Sequence, residues 1–289
     1  MRWPCYIPAP GVNGLQIQVG LLDHKVSNDM KYKIALAQIE LELGSLDRNF
    51  NAAKEAVVEA AQEEVDIVLL PELWASGYDL ENAHEYASPL SGGWFAKMRE
   101  LAISQGVALG GSMIEEQGEN LYNTFLLVDK NGTDLGYYRK THLFDLIEEK
   151  KYFQAGNELA VIDSPWGKIG LALCYDLRFP ELFRAYALKG AETILLVAEW
   201  PRRRIAHWDI LLQARAIENQ CFIAAVNKVG TSKGELLGGN SAVINPMGKI
   251  LVQGGKSPGV FVTEIDPEET AKARNWMPVF TDRNPNVYS

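Results

Sequence analysis

Residues 168–190 read KIGLALCYDLRFPELFRAYALKG, and this stretch decides the fold reading. An apolar run gives way to a polar turn, and the turn opens a helical stretch with Pro180 at its start and Gly190 past its end. Proline is preorganised for the first turn of a helix and glycine for the reversal after it. A fully apolar strand feeding a helix is half of a β-α-β unit, and such strands suit a sheet covered by helices. The same alternation extends outward. The run YKIALAQI at 32–39 is followed by Ser45 as a helix N-cap, Asp47 in the first turn, and Phe50, Ala53, Val57, Val58 and Ala61 at helical spacing. The strand VDIVLLP at 65–71 precedes a helix from about Trp94 to Ser104, and VALGGSMI at 107–114 makes another strand. The middle differs. NTFLLVDKNGTDLGYYRK at 123–140 has two strand-like runs around Asn131-Gly132, a hairpin signal, and SAVINPMGKILVQG at 241–254 repeats it around residues 245–248. Hairpins mixed with crossover helices predict a mixed sheet, or two sheets packed together. No linker or repeat divides residues 31–289, so one domain is expected there.

Composition narrows the function classes. Of 289 residues 47% are hydrophobic and 22% charged, with 37 acidic against 28 basic side chains and a net charge of −9, which excludes dominant disorder and leaves no nucleic-acid footprint. The longest apolar runs, such as IVLL at 67–70 and ILLVA at 194–198, fall far short of the roughly 18 to 20 residues of a membrane span. Cys5, Cys174 and Cys221 form no CxxC, so neither a disulfide framework nor a cysteine zinc site is encoded, and a reducing cytoplasm fits best. No His-x-x-x-His pair supports a metal site. Residues 1–30 show no sustained period and no signal-peptide pattern. Regular patterning begins at Lys31, so we expect residues 1–30 to be a dispensable extension with Met30 an alternative start.

Three polar residues, Glu72, Lys140 and Cys174, fall at the carboxyl ends of predicted strands, where open α/β folds place their sites. Taken singly, the first two read as solvated loop charges and the cysteine as a small buried hydrophobe. The position of Cys174 changes that. A thiol on a strand-to-helix turn faces free backbone N–H groups and the positive end of the helix dipole, which favour a thiolate and an oxyanion. Its base is open at this level. His142 and His207 are Cys-His candidates, and a carboxylate base with a lysine partner is the other solution.

The strings LLPELWASGYD at 69–79, YYRKTHLFD at 137–145 and LCYDLRFPEL at 173–182 resemble the three motifs of the nitrilase superfamily of carbon–nitrogen hydrolases, in the right order. AEWPRRRIAHW at 198–208 and QARAIENQCFIAAVNKVG at 213–230 resemble its ω-amidase branch, which includes 2-oxoglutaramate amidases. The resemblance implies an α-β-β-α sandwich of two mixed sheets flanked by helices, at least a homodimer through its outer helices, and a reaction that needs no cofactor. It implies Cys174 as nucleophile, Glu72 as general base and acid, and Lys140 as oxyanion donor, helped by the Tyr175 backbone N–H. The second glutamate is expected at Glu149, with Glu148 its competitor, in the register set by Gln154-Ala155-Gly156. Arg178 matches the receiver of a substrate carboxylate, with a salt bridge to Asp176 or Glu181 as the bland alternative. Tyr78 and Trp200 are expected beside the substrate, and Arg202, Arg203 and Arg204 form either a solvated loop or the pocket mouth. The implied reaction is hydrolysis of a small carboxylate-bearing amide, 2-oxoglutaramate first, through a thioester. Deaminated glutathione, an N-carbamoyl amine or a nitrile are the alternatives within the superfamily, and a catalytically silent binding protein is the alternative outside it.

Overall fold

Strand β1 (Tyr32–Gln38) shows how the layers arise. Successive side chains of a strand point to opposite faces, so Ile34 and Leu36 pack toward a second sheet while Ala35 and Ala37 pack under helices. In the computed structural model, which describes residues 31–287, the chain continues through α1 (Leu46–Gln62), β2 (Ile67–Leu69), α2 (Ala83–Tyr86), α3 (Gly93–Gln105), β3 (Ala108–Gln117), β4 (Asn120–Val128), β5 (Asp134–Arg139) and α4 (Glu149–Tyr152). The second half runs β6 (Val161–Ser164), β7 (Gly167–Leu173), α5 (Pro180–Leu188), β8 (Thr193–Ala198), α6 (Ile205–Asn219), β9 (Phe222–Asn227), β10 (Thr231–Ser232), β11 (Glu235–Leu236), β12 (Ala242–Ile244), β13 (Ile250–Gln253), β14 (Gly259–Ile265) and α7 (Glu268–Trp276). The expectations for residues 1–30 lie outside the described residues.

Two six-stranded sheets form, in the orders β14-β1-β2-β3-β4-β5 and β13-β12-β9-β8-β7-β6. Strands β1, β2 and β3 pair in parallel, as do β7, β8 and β9, and every other neighbour within the two sheets is antiparallel. The two sheets therefore share one plan. Their facing sides close the core with Ile34, Leu36, Phe125 and Leu127 against Ile169, Leu171, Leu195 and Ala224. Helices α1 and α3 cover the outer face of the first sheet, while α5 and α6 pack beside the second. This is the two-sheet, helix-flanked architecture expected. Among the described residues no helix is long and apolar enough to cross a membrane.

Both hairpins are present, with longer loops than a two-residue Asn-Gly turn. Asp129 accepts the backbone N–H groups of Asn131 and Thr133 and Gly132 sits at φ +80°; Asn245 accepts those of Met247 and Lys249 and Gly248 sits at φ +80°. A side-chain acceptor two residues before the bend replaces the tight turn in each. Because β4 reverses and β5 reverses again, β5 points the same way as β2. The chain after β2 and the chain after β5 thus leave one edge of the sheet together.

Candidate active site

Strand β7 ends at Leu173 and the chain enters a short 3₁₀ turn, Cys174–Arg178. Cys174 takes φ +37°, a left-handed conformation that costs an L-residue about 1 to 3 kcal/mol and persists only where the surroundings over-determine it. Asp176 provides that. Its buried carboxylate accepts the Leu173 N–H at 2.8 Å, the Tyr138 hydroxyl at 3.0 Å and the His142 N–H at 3.3 Å, and it meets His142 Nδ1 at 2.7 Å. The same carboxylate therefore ties the cysteine turn to the segment that follows β5.

Lys140, the first residue after β5, is anchored through its backbone. Its N–H donates to the Asn123 carbonyl and its carbonyl accepts from the Gly156 N–H, both at 2.9 Å. A Cβ at Gly156 would stand 2.2 Å from the Arg139 carbonyl oxygen, so the lysine's strand end needs glycine opposite it. The ammonium donates to Glu72 Oε1 at 2.9 Å, Glu149 Oε1 at 2.7 Å and the Tyr78 hydroxyl at 3.2 Å. All three charged side chains are fully buried.

Each carboxylate is held from behind. Glu72 accepts from the Asn123 amide at 2.9 Å, the Tyr78 hydroxyl at 3.0 Å and the Glu199 backbone N–H at 3.1 Å. Glu149 accepts the Phe144 N–H at 2.6 Å and a hydrogen bond from Tyr78. Of the two candidate glutamates, Glu149 thus meets Lys140. Glu148 serves as the left-handed residue, φ +58°, between the 3₁₀ turn Asp145–Ile147 and α4.

Burial alone would push the Lys140 ammonium down, but the Glu149 and Glu72 carboxylates reverse this and hold it above the ordinary lysine value. Burial, then the Glu72 charge, pushes the Cys174 thiol well up, against a smaller opposite pull from Lys140. At this thiol desolvation and the neighbouring anion outweigh the helix end and the Lys140 charge.

A cavity of about 510 Å³ opens over Cys174, Lys140, Tyr78 and Glu199, with Arg178, Arg204 and Trp200 in its wall. Tyr78 lines it, but its hydroxyl is taken by Glu72, Glu149 and Lys140, so its polar end faces the carboxylates. Tyr175 lines it beside Phe144, with ring centroids 4.7 Å apart. Trp200 is 2% exposed, and it both borders the cavity and packs on Trp208. Arg178 makes no ion pair with Asp176 or Glu181; it lies over the Trp200 ring at 4.7 Å, with Nη2 3.4 Å from His207 Nδ1. Arg203 and Arg204 reach the cavity, whereas the buried Arg202 Nε has no hydrogen-bond partner among the described residues. Neither His142 nor His207 lines the cavity. His142 stacks on Phe179 at 3.7 Å and is bound to Asp176.

Sequence reasoning missed Asn123, Glu199 and Lys228. Lys228 pairs with Glu199 at 3.0 Å, and the Glu199 carbonyl receives the Cys174 thiol at 3.9 Å. A signal for Glu199 existed: it ends the apolar strand TILLVA much as Glu72 ends VDIVLLP. No comparable pattern marks Asn123.

Known proteins resemble this chain in sequence and fold. The 2-oxoglutaramate amidase of Bacillus subtilis (strain 168) is 38% identical over 260 residues, 90% of this chain and 100% of that protein. A CN-hydrolase superfamily protein of Xanthomonas campestris, solved with an arsenic adduct in its active site, superposes with a TM-score of 0.82 at 31% identity, covering 88% of this chain and 98% of that one. A variant of the amidase from Nesterenkonia sp. AN1, showing covalent addition of the acetamide moiety of fluoroacetamide at its active-site cysteine, superposes with a TM-score of 0.79 at 27% identity, covering 89% and 95%. Residues 33–275 match the carbon–nitrogen hydrolase profile, a span that includes Glu72, Lys140, Glu149 and Cys174. The chain belongs to the carbon–nitrogen hydrolase family.

Proposed function

We propose that the protein is a cysteine-dependent amidase that converts 2-oxoglutaramate to 2-oxoglutarate and ammonia through a thioester on Cys174. One observation carries the reading: a buried lysine held between two glutamates, and a cysteine in a left-handed turn, with the lysine and the cysteine lining one cavity. The match to a 2-oxoglutaramate amidase supports the substrate, and the amidase with a cysteine adduct supports the covalent step.

Cys174 Sγ attacks the amide carbon as its proton passes to Glu72, and the carbonyl π electrons move to oxygen. The Lys140 ammonium and the Tyr175 N–H carry that oxyanion, each such donor contributing on the order of 3 kcal/mol. Glu72 returns the proton to nitrogen, the carbon–nitrogen bond breaks and ammonia leaves. Water then attacks the thioester with Glu72 as base, Glu149 keeps Lys140 in place, and the carbon–sulfur bond breaks to regenerate the thiol. Arg178 grips the carboxylate at the far end of the substrate. By the same resemblance the protein is a homodimer, which the exposed Leu188, Ile210 and Ile217 on α5 and α6 support; sedimentation velocity measures it. The two described cysteines are free thiols, which suits a cytoplasmic location.

The test is a coupled assay of ammonia and 2-oxoglutarate released from 2-oxoglutaramate. Equimolar products from wild type and none from Cys174→Ala are expected. A folded wild type that releases neither product removes this substrate.

A further inference from the structure

Charges around the cavity are unevenly paired. Lys140 is matched by Glu72 and Glu149, and Lys228 by Glu199. Arg203 meets Glu235 at 3.1 Å and Lys233 meets Glu81 at 3.2 Å. Two guanidinium groups in the wall, Arg178 and Arg204, have no acidic partner among the described residues. Each instead rests on an aromatic face: Arg178 on Trp200 at 4.7 Å and Arg204 on Phe144 at 5.4 Å. A guanidinium stacked on a ring keeps its in-plane N–H donors for a planar anion. Arg204 makes no side-chain hydrogen bond among the described residues, and only the imidazole of His207 meets Arg178. The one further acid at the cavity, Glu148, sits exposed at its rim. Burial, then the like charges of Arg203 and Arg178, drags Arg204 below the ordinary arginine value. Arginine does not give up its proton in a protein, so an incoming anion is what relieves this crowding.

We propose that Arg204 is a second substrate ligand, forming with Arg178 a two-guanidinium seat for an α-keto carboxylate, while Arg203 is committed to Glu235. This rests on the reading of the protein as an amidase for a carboxylate-bearing amide. The chemistry favours the α-keto class specifically. One fork satisfies two carboxylate oxygens in a bidentate pair, and the adjacent keto oxygen is a third acceptor that a second guanidinium meets. A plain carboxylate leaves that second cation underused.

The test uses the full chain as Arg204→Gln and Arg204→Lys. Binding of 2-oxoglutarate is measured by calorimetry in the Cys174→Ala background, and kcat/KM for 2-oxoglutaramate is compared with that for butyramide. Loss of a charged hydrogen bond predicts that Arg204→Gln weakens 2-oxoglutarate binding by about tenfold or more and lowers the ratio of the two kcat/KM values by a similar factor. Arg204→Lys recovers part of both, with thermal melting verifying the fold. Undetectable 2-oxoglutarate binding, binding that ignores Arg204, or an equal fall for both substrates overturns the seat. The two readings fail separately. Arg204-dependent binding without turnover of any carboxylate amide defeats the substrate assignment and leaves the seat, whereas turnover with Arg204-independent binding removes the seat alone.

Discussion

Strands β2 and β8 hold equivalent places in the two sheets, and each is followed by a glutamate paired with a buried lysine. At the first, Lys140 lies between Glu72 and Glu149 at 2.9 and 2.7 Å. At the second, Lys228 meets Glu199 alone at 3.0 Å. The first cluster holds one carboxylate more than its cation balances, and its lysine reaches the cavity. The second pair is balanced, and Lys228 does not line the cavity. What the second pair presents to the chemistry is main chain: the Glu199 N–H on Glu72 and the Glu199 carbonyl beside the Cys174 thiol. A buried ion pair is therefore not a site by itself. What separates the two is a surplus carboxylate beside a cysteine, which the proposed mechanism uses as its base.

The largest expected effect lies in the first cluster. Cys174→Ala, Glu72→Gln and Lys140→Met should each lower kcat by at least about 10²-fold with the circular dichroism spectrum intact, since the proposed mechanism uses each group at the transition state. Lys228→Met sharpens the contrast. Stranding Glu199 in the interior should cost about 3 to 5 kcal/mol in urea unfolding, with kcat of the folded enzyme falling by no more than about tenfold. The double variant with Glu199→Gln should regain most of the stability. A loss of turnover in Lys228→Met equal to that in Lys140→Met would break the comparison. Gly156→Ala probes the backbone beneath Lys140. Its Cβ meets the Arg139 carbonyl at 2.2 Å, so urea unfolding should show a loss of about 1 to 3 kcal/mol, with kcat reduced.

The smallest effect is a titration. The Glu72 charge opposes ionisation of Cys174, so removing it in Glu72→Gln makes the thiolate easier to form. The midpoint of thiolate absorbance should move down while turnover also falls. The opposite movement would mean that Glu72 does not lie against the thiol.

Much of this is legible in the sequence. Apolar runs interrupted by helical spacing announced the layers, and Glu72, Lys140 and Cys174 stood out because each ends a strand. What stayed hidden depends on strand order. Asn123 serves Glu72 only because β4 lies beside both β3 and β5, and Glu199 reaches Glu72 only because the two sheets face each other. The choice between Glu148 and Glu149 turned on one left-handed residue, a backbone event that two identical side chains conceal. The surroundings of the Cys174 thiol are hidden for a related reason: the helix end is visible in sequence, while the burial and the Glu72 anion that outweigh it are not.

The central claim is that Cys174 carries the acyl group. Acid quenching of 2-oxoglutaramate turnover, followed by proteolysis and mass measurement of the cysteine peptides, tests it most directly. The account predicts that the peptide containing Cys174 gains the mass of the substrate less ammonia while the Cys221 peptide stays unmodified. Ongoing turnover with the acyl group on another residue, or with Cys174→Ala as active as wild type, would contradict it.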